Sequence, residues 1–327
     1  MADIFGVRVT ADLNILDSLI IISNSSSGQT EPAVTFADEN YFVAWLDPAS
    51  QTRNASVNVA RVDTHGIVLD NGVFLGAGDY HPDIAFDGDR CLVVWSEEFH
   101  GVIGRYVNAA CLPEGNTMEI ALTLGCSTEP AVVFGTLNYL VVWADYCSTG
   151  TSLDVLGQLL STNGQLIGDR ILIAGGGAVQ ERPAVAFDGN DFMVVWVEDA
   201  DKICGRYLTV NGTPIGEEFL ISNDTPYERQ YPSAAAGTDK YLIAWSEYHD
   251  DFDVYGNLDV AIGVAETNAS LPVVGSTVLW SQLQKYLAAD ARIYDILGRH
   301  VSTRKIAPGV YFLKTEEKIL QKIVVIR

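Results

Sequence analysis

The amino-acid sequence predicts an all-β protein assembled from one repeated unit, and three observations predict it. One short segment occurs five times: PAVTFADENYFVAWLD from Pro32, PDIAFDGDRCLVVWSEE from Pro82, PAVVFGTLNYLVVWAD from Pro130, PAVAFDGNDFMVVWVED from Pro183 and PSAAAGTDKYLIAWSEY from Pro232. The proline precedes the tryptophan by the same distance in every copy: Pro32 to Trp45, Pro82 to Trp95, Pro130 to Trp143, Pro183 to Trp196 and Pro232 to Trp245. The tryptophans themselves follow one another at a slightly variable period of about 50 residues. A fixed internal distance inside a variable period describes a rigid unit joined by adjustable loops. Within each unit, short apolar runs alternate with polar turns, the pattern of antiparallel hairpins.

The elements of a unit follow in order. The first run, as in PAVAF, is apolar and built of small or β-branched residues, which suits a strand buried on both faces. A short polar turn (DGND, DGDR, GTLN) leads to a second strand ending in VVW or IAW. A third strand forms around a glycine: VIGRYV from Val102, VLGQLL from Val155, ICGRYL from Ile203 and VYGNLD from Val254. A turn such as NGTPIGEE and a last strand such as FLIS (Phe219 to Ser222) complete it. Four antiparallel strands in about 50 residues describe one blade of a β-propeller. The expectation is therefore a five-bladed β-propeller over residues 1–265, similar to bacterial propeller-repeat proteins. It lacks the GH and WD dipeptides of WD-repeat blades and the S-x-D-x-G-x-T-W box of sialidases. A stacked β-solenoid, the rival architecture, would use shorter coils.

Residues 3–23 match the second half of a unit, with a third strand at Asp3–Val9 and a fourth at Leu19–Ser23. The sequence thus predicts a ring closed by the N-terminal strand beside residues 231–258, which removes exposed sheet edges. A third strand is also legible at Asp253–Leu258, leaving one spare copy; missing upstream blades are the other reading of that surplus.

Composition narrows the partners. The chain of 327 residues carries a formal charge of −22 with a pI near 4.4, which argues against nucleic acid or an anionic membrane surface. No apolar run reaches the roughly 18 residues that span a bilayer, and the N-terminus has no signal-peptide pattern. Five cysteines occur without CxxC spacing. Cys91 and Cys204 fall inside strands as small buried hydrophobes, and a Cys111–Cys126 bridge is one option left open.

After about Asn268 the repeat stops. Residues 266–327 alternate apolar and polar positions around three turn signals, and residues 292–327 carry eight of the chain's 20 Lys and Arg. A small antiparallel β-sandwich with a separate task is expected. IYDILGRHV (Ile293 to Val301), APGVYFLK (Ala307 to Lys314) and the terminal KIVVIR (Lys322 to Arg327) resemble the type A C-terminal sorting domain of the type IX secretion system of Bacteroidetes and related phyla. The residues carrying that resemblance are Tyr294, Asp295, Gly298, Arg299, Gly309, Tyr311 and Lys322. It implies engagement of the type IX machinery and a secreted or outer-surface location. The Asn-Pro-containing opening strand of that family is absent unless LPVVGSTVLW (Leu271 to Trp280) replaces it.

For chemistry, the recurrent polar feature is an acid two residues after each blade tryptophan: Asp47, Glu97, Asp145, Glu198 and Glu247. Strand direction places all five on one ring face, where carboxylates hold a cation or hydrogen-bond sugar hydroxyls. The bland reading is that each caps a backbone N–H or pairs with an arginine of its own blade. The tryptophans read as inter-blade packing rather than as a sugar platform. HDDFDVYGNLD (His249 to Asp259) fails as an EF-hand loop, because Tyr255 and Ile262 stand where acids are needed; a looser calcium site on Asp250, Asp251 and Asp253 survives. No cofactor is called for beyond such a calcium ion. AGGGA (Ala174 to Ala178) lacks the following Gly-Lys-Ser/Thr of a phosphate loop, and no GxSxG elbow exists.

Near-identical blades without an evident unique polar constellation lead to an exported binding or adhesion module for a glycan or protein as the first reading. The alternatives are a propeller carbohydrate-active enzyme, glycosidase or lyase, and a structural spacer of a larger surface protein.

Overall fold

The computed structural model of the protein describes residues 3–261 except for the segments 11–13, 18, 26–27, 49–54, 98–100, 123–128, 147–151, 224–225, 238–239 and 250. It also describes five strands of the C-terminal unit: 276–279, 292–295, 300–301, 309–314 and 321–326. Contacts divide the chain into Met1–Val264 and Ala265–Arg327.

The larger unit is a five-bladed β-propeller. It opens with two short strands, β1 (Ile4–Gly6) and β2 (Ile20–Ser23). Blade 1 comprises β3 (Thr30–Ala37), β4 (Asn40–Asp47), β5 (Ser56–Asp63) and β6 (Val73–Ala77), and blade 2 β7 (Tyr80–Phe86), β8 (Cys91–Glu97), β9 (Gly101–Val107) and β10 (Pro113–Ala121). Blade 3 holds β11 (Ala131–Gly135), β12 (Asn138–Tyr146), β13 (Leu153–Ser161) and β14 (Leu166–Ala174). Blade 4 holds β15 (Gln180–Phe187), β16 (Asp191–Glu198), β17 (Lys202–Thr209) and β18 (Pro214–Leu220). Blade 5 has β19 (Arg229–Ala236), β20 (Lys240–Tyr248) and β21 (Phe252–Ala261). Each blade is an antiparallel meander whose strands pair in chain order; among the described residues the first four blades have four strands and the fifth has three. The innermost strands β3, β7, β11, β15 and β19 contact one another in that succession.

The repeated tryptophan explains the assembly. Trp95 is buried against Leu46, Val57, Val59 and Leu75 of blade 1, so the tryptophan of one blade seals the apolar face of the blade before it. Trp143, Trp196 and Trp245 do the same against blades 2, 3 and 4. A wedge with two apolar faces can hide both only by leaning on a neighbour at each side. The buried thiols Cys91, Cys111 and Cys204 are pushed up to about 12 by burial, which makes them packing groups. The Cys111 Sγ–H points to the Val59 carbonyl at 3.8 Å; Cys126 lies outside the described residues.

The third-strand glycine has a steric cause. A Cβ on Gly205 would lie 2.8 Å from Ile221 Cδ1, and one on Gly157 2.9 Å from Ile173 Cδ1. The isoleucine follows its glycine at the same distance along the chain in both cases, and the same interval joins Gly104 to Ile120 and Gly6 to Ile22. β1 and β2 therefore have the register of a blade's third and fourth strands. A second repeated device agrees: Arg8 forks onto Asp17 as Arg61 forks onto Asp70, with the same spacing in each pair.

The expected closure differs. β1 pairs with β2 and not with blade 5, whose third-strand place is filled by β21 along the full edge of β20. Ile4 and Ile20 instead pack on Trp45 and Val43 of blade 1, where a preceding blade would stand. The spare third strand noted in the sequence is the reason: two segments fit one slot, and the one adjacent in sequence to β20 occupies it. In the C-terminal unit, β22 (Ser276–Leu279), β23 (Arg292–Asp295), β24 (His300–Val301), β25 (Gly309–Lys314) and β26 (Gln321–Ile326) form one sheet in the order β22–β26–β25–β23–β24. β22 runs parallel to β26. The described strands make a single mixed sheet; the expected antiparallel sandwich is not shown.

Candidate functional site

The innermost strand of every blade carries the repeat proline, and the residue just before it differs between repeats: Glu31, His81, Glu129, Arg182 and Tyr231. All five line one cavity of about 270 Å³ at the propeller axis, floored by the five prolines. Four of the five, Glu31, His81, Arg182 and Tyr231, hold φ between 51° and 56°. Left-handed backbone is rare for residues with a Cβ, and a following proline restricts it further. At each of these four positions the ladder slips by an extra residue, between Thr30 and Ala33, Tyr80 and Asp83, Glu181 and Ala184, and Gln230 and Ser233. Such a bulge turns a side chain out of the sheet's alternation. Here it gathers carboxylate, imidazole, guanidinium and phenol in one cavity, and strained backbone of this kind clusters at functional sites.

The side chains form a chain of contacts through the blades in order. His81 lies between two carboxylates, with Nδ1 3.6 Å from Glu31 Oε2 and Nε2 3.6 Å from Glu129 Oε1. The His81 backbone N–H donates to Glu31 Oε2 at 2.6 Å. Glu129 Oε1 is 3.4 Å from Arg182 Nε, and the Arg182 guanidinium stacks over the Tyr231 ring at 4.5 Å. Nε and Nη1 of Arg182 are buried without a well-formed hydrogen bond, and the guanidinium is held by the charge of Glu129.

A sixth polar group is unique to blade 2. Asp83 follows its proline where the other blades have Ala33, Ala131, Ala184 and Ser233. Its carboxylate accepts from the backbone N–H of Val132 in blade 3 at 2.8 Å and of Ile84 at 2.9 Å. Burial nevertheless pushes Asp83 up to about 6, against those two bonds. Burial also raises Glu129, with His81 and Arg182 pulling the other way. The cavity thus offers two carboxyl groups that hold protons more tightly than usual, a third carboxylate across the imidazole, and a guanidinium beside Glu129.

The five acids that follow the tryptophans lie elsewhere. They are the last or next-to-last residues of the second strands and are absent from the cavity lining. Asp47 accepts from Ser25 Oγ at 3.2 Å, and Glu198 lies 3.5 Å from Lys202 Nζ. Glu97 stands opposite Gly101 in its hairpin, and Asp145 is buried opposite Asp154. Glu247 is buried and accepts from Arg229 Nε at 2.8 Å and Trp245 Nε1 at 3.1 Å. Burial alone would raise Glu247, but these bonds and the charge of buried Arg229 hold it below the usual carboxylate range. Of the calcium candidates, Asp251 Oδ1 caps the Phe252 N–H at 2.8 Å, Asp253 pairs opposite Glu247 in the ladder, and Asp250 lies outside the described residues. Among the described residues no group of three or more His, Cys, Asp or Glu side chains is placed to hold a metal ion. In the C-terminal unit, Tyr294 and Asp295 lie on β23, Gly309 and Tyr311 on β25 and Lys322 on β26, while Gly298 and Arg299 lie outside the described residues.

The residues that meet at the axis do not recur from blade to blade, so the repeat pattern does not mark them. The available signal was the residue before each proline, the position whose chemistry changes from carboxylate to imidazole, guanidinium and phenol while its neighbours repeat.

Comparison with protein-family models and with curated proteins gives no match. Among solved structures, a protein of unknown function from Dyadobacter fermentans DSM 18053 superposes with a TM-score of 0.56 at 10% identity, covering 74% of this chain and 81% of its own. A thermostable family-43 glycoside hydrolase gives 0.44 at 12% identity, over 75% of this chain and 96% of its own. The α-L-arabinofuranosidase PaAbf62A from Podospora anserina gives 0.44 at 8%, over 69% and 87%. At these identities the likeness concerns the fold alone.

Proposed function

We propose that the propeller is a carbohydrate-active enzyme, a glycosidase or lyase, that works at the axial cavity. The observation that carries this reading is the convergence of carboxylate, imidazole, guanidinium and phenol, from equivalent repeat positions, on one small cavity. Repeated acids serve structure equally in every blade, whereas acid–base chemistry needs different groups in different roles. Glycoside cleavage uses one carboxylic acid that protonates the leaving oxygen and one carboxylate that acts as base or nucleophile. Glu129, raised by burial, is assigned the proton-donor role, and Glu31, on the far side of His81, the base role. The Arg182 guanidinium and the exposed Tyr231 ring, both in the cavity lining, suit sugar hydroxyls and a sugar face. The volume admits one sugar ring or a chain end.

The test is a hydrolysis and elimination screen over neutral and uronic-acid-containing polysaccharides, paired with a glycan array. Turnover by the wild type, lowered by about 10²–10⁴ in Glu129→Gln with array binding retained, supports the reading. Binding without turnover in both proteins would return the chain to a non-catalytic binding module.

The C-terminal unit is assigned to export through the type IX machinery. Support comes from the three motif pieces, which fall on β23–β24, β25 and β26, and from the basic charge of the segment. Residues 266–327 fused behind a periplasmically targeted reporter, in a bacterium with that machinery, should carry the reporter outside the cell. A reporter retained in the periplasm would refute the assignment.

A further inference from the structure

Glu31, His81 and Glu129 come from three consecutive blades, so their spacing depends on how each innermost strand is held against the next. Glu31, His81, Arg182 and Tyr231 fall inside β3, β7, β15 and β19, whereas β11 begins at Ala131, two residues beyond Glu129. The placement of Glu129 therefore depends on what holds the start of β11. β7 reaches this region at two points. His81 Nε2 lies 3.6 Å from Glu129 Oε1, and Asp83 Oδ2 accepts from the Val132 backbone N–H at 2.8 Å. The other oxygen, Asp83 Oδ1, accepts from the Ile84 N–H at 2.9 Å, which fixes the plane of the carboxylate. The preceding junction is built alike, with Glu31 Oε2 accepting from the His81 N–H at 2.6 Å. At both junctions of the acid–imidazole–acid row, a carboxylate of one blade grips a backbone N–H of the next.

Assembly of the blades does not call for an acid at position 83. Blades 1, 3 and 4 have Ala33, Ala131 and Ala184 there and blade 5 has Ser233, yet their innermost strands contact one another in the same succession. Asp83 lines the axial cavity, and each of its oxygens already holds a main-chain N–H, which suits a group that positions others. We propose that Asp83 is a positioning residue of the axial site: by tying β11 to β7 it sets Glu129 against His81 and against the sugar oxygen that Glu129 protonates. Catalytic groups work only when such supporting contacts hold them in the productive geometry. The inference rests on the catalytic reading of the cavity.

The test compares Asp83→Ala and Asp83→Asn with the wild type, all as full chains. Alanine removes the acceptor, whereas asparagine keeps one acceptor oxygen for the Val132 N–H. On a polysaccharide that the wild type turns over, followed by release of reducing ends, Asp83→Ala should lower kcat about 10²-fold with KM changed by less than about threefold, the effect of a misplacement of about 1 Å. Asp83→Asn should regain most of that loss. Crystal structures should show Glu129 Oε1 displaced from its 3.6 Å approach to His81 Nε2 in the alanine variant and kept there in the asparagine variant. Undiminished kcat in Asp83→Ala, or an asparagine variant as slow as the alanine one, would overturn the proposal. So would a collapse of the thermal midpoint in Asp83→Ala, which would make the residue a structural one. If the wild type turns over no polysaccharide, the catalytic reading fails by itself and the crystal structures decide the positioning: a displaced Glu129 sustains it, and an unmoved one overturns it.

Discussion

Glu31, His81, Arg182 and Tyr231 hold positive φ immediately before proline, an arrangement that costs on the order of 1–3 kcal/mol at each position. Folding alone gives no reason to keep it, and glycine would relieve it. Tyr231 is exposed and makes its main contact with Arg182, so Tyr231→Gly should leave the urea midpoint unchanged or raised by up to ~1 kcal/mol in stability while weakening sugar binding. A clear loss of stability would mean that the strain has a structural purpose. Glu247 gives the opposite kind of residue, one that stabilises. Its folded pKa is depressed, so its contribution is present above the unfolded carboxylate pKa and is lost as pH falls through the folded value. Glu247→Gln removes the carboxylate that accepts from buried Arg229 Nε at 2.8 Å, at a cost of about 3–5 kcal/mol at pH 7. Denaturation curves of the two proteins should converge as the pH falls below the usual carboxylate range; a gap independent of pH would contradict the ion-pair account.

At the scale of the element, the recurrent glycine–isoleucine interval sets how closely the third and fourth strands approach. Gly205→Ala should destabilise by about 1–3 kcal/mol through the 2.8 Å clash with Ile221 Cδ1. Removing that methyl with Ile221→Val in the same chain should recover part of the loss, a coupling that a double-mutant cycle measures. Strictly additive effects would show that the two residues do not share this constraint. Such elements were legible in sequence, because strand alternation and the fixed Pro-to-Trp distance both report local geometry. The pairing of β1 was not. DIFGVRV (Asp3 to Val9) and DVYGNLD (Asp253 to Asp259) carry the same third-strand pattern, and which of them lies on β20 depends on chain proximity, which alternation does not encode. The axial site was hidden for a related reason: a search for recurring acids selects Asp47, Glu97, Asp145, Glu198 and Glu247, and excludes by design a position occupied by Glu, His, Glu, Arg and Tyr.

Across the whole molecule, 42 acidic residues face 20 basic ones, and the surplus repels itself in the compact state. Added sodium chloride between about 10 and 150 mM should raise the thermal midpoint by screening that repulsion, in contrast to a protein held mainly by surface ion pairs. A midpoint that falls with salt would make the pairs dominant over the surplus. The architecture itself divides two kinds of work. Tryptophans and apolar second strands join each blade to the one before it, while the bulged innermost strands are left to carry chemistry toward the axis. The central claim is that ligand is met there. It is tested most directly by a crystal structure of the Glu129→Gln protein soaked with the sugar best retained on a glycan array. The account predicts sugar density within hydrogen-bonding distance of Arg182 and Glu31. Density seated on the acids that follow the tryptophans, with the axial cavity empty, would contradict it.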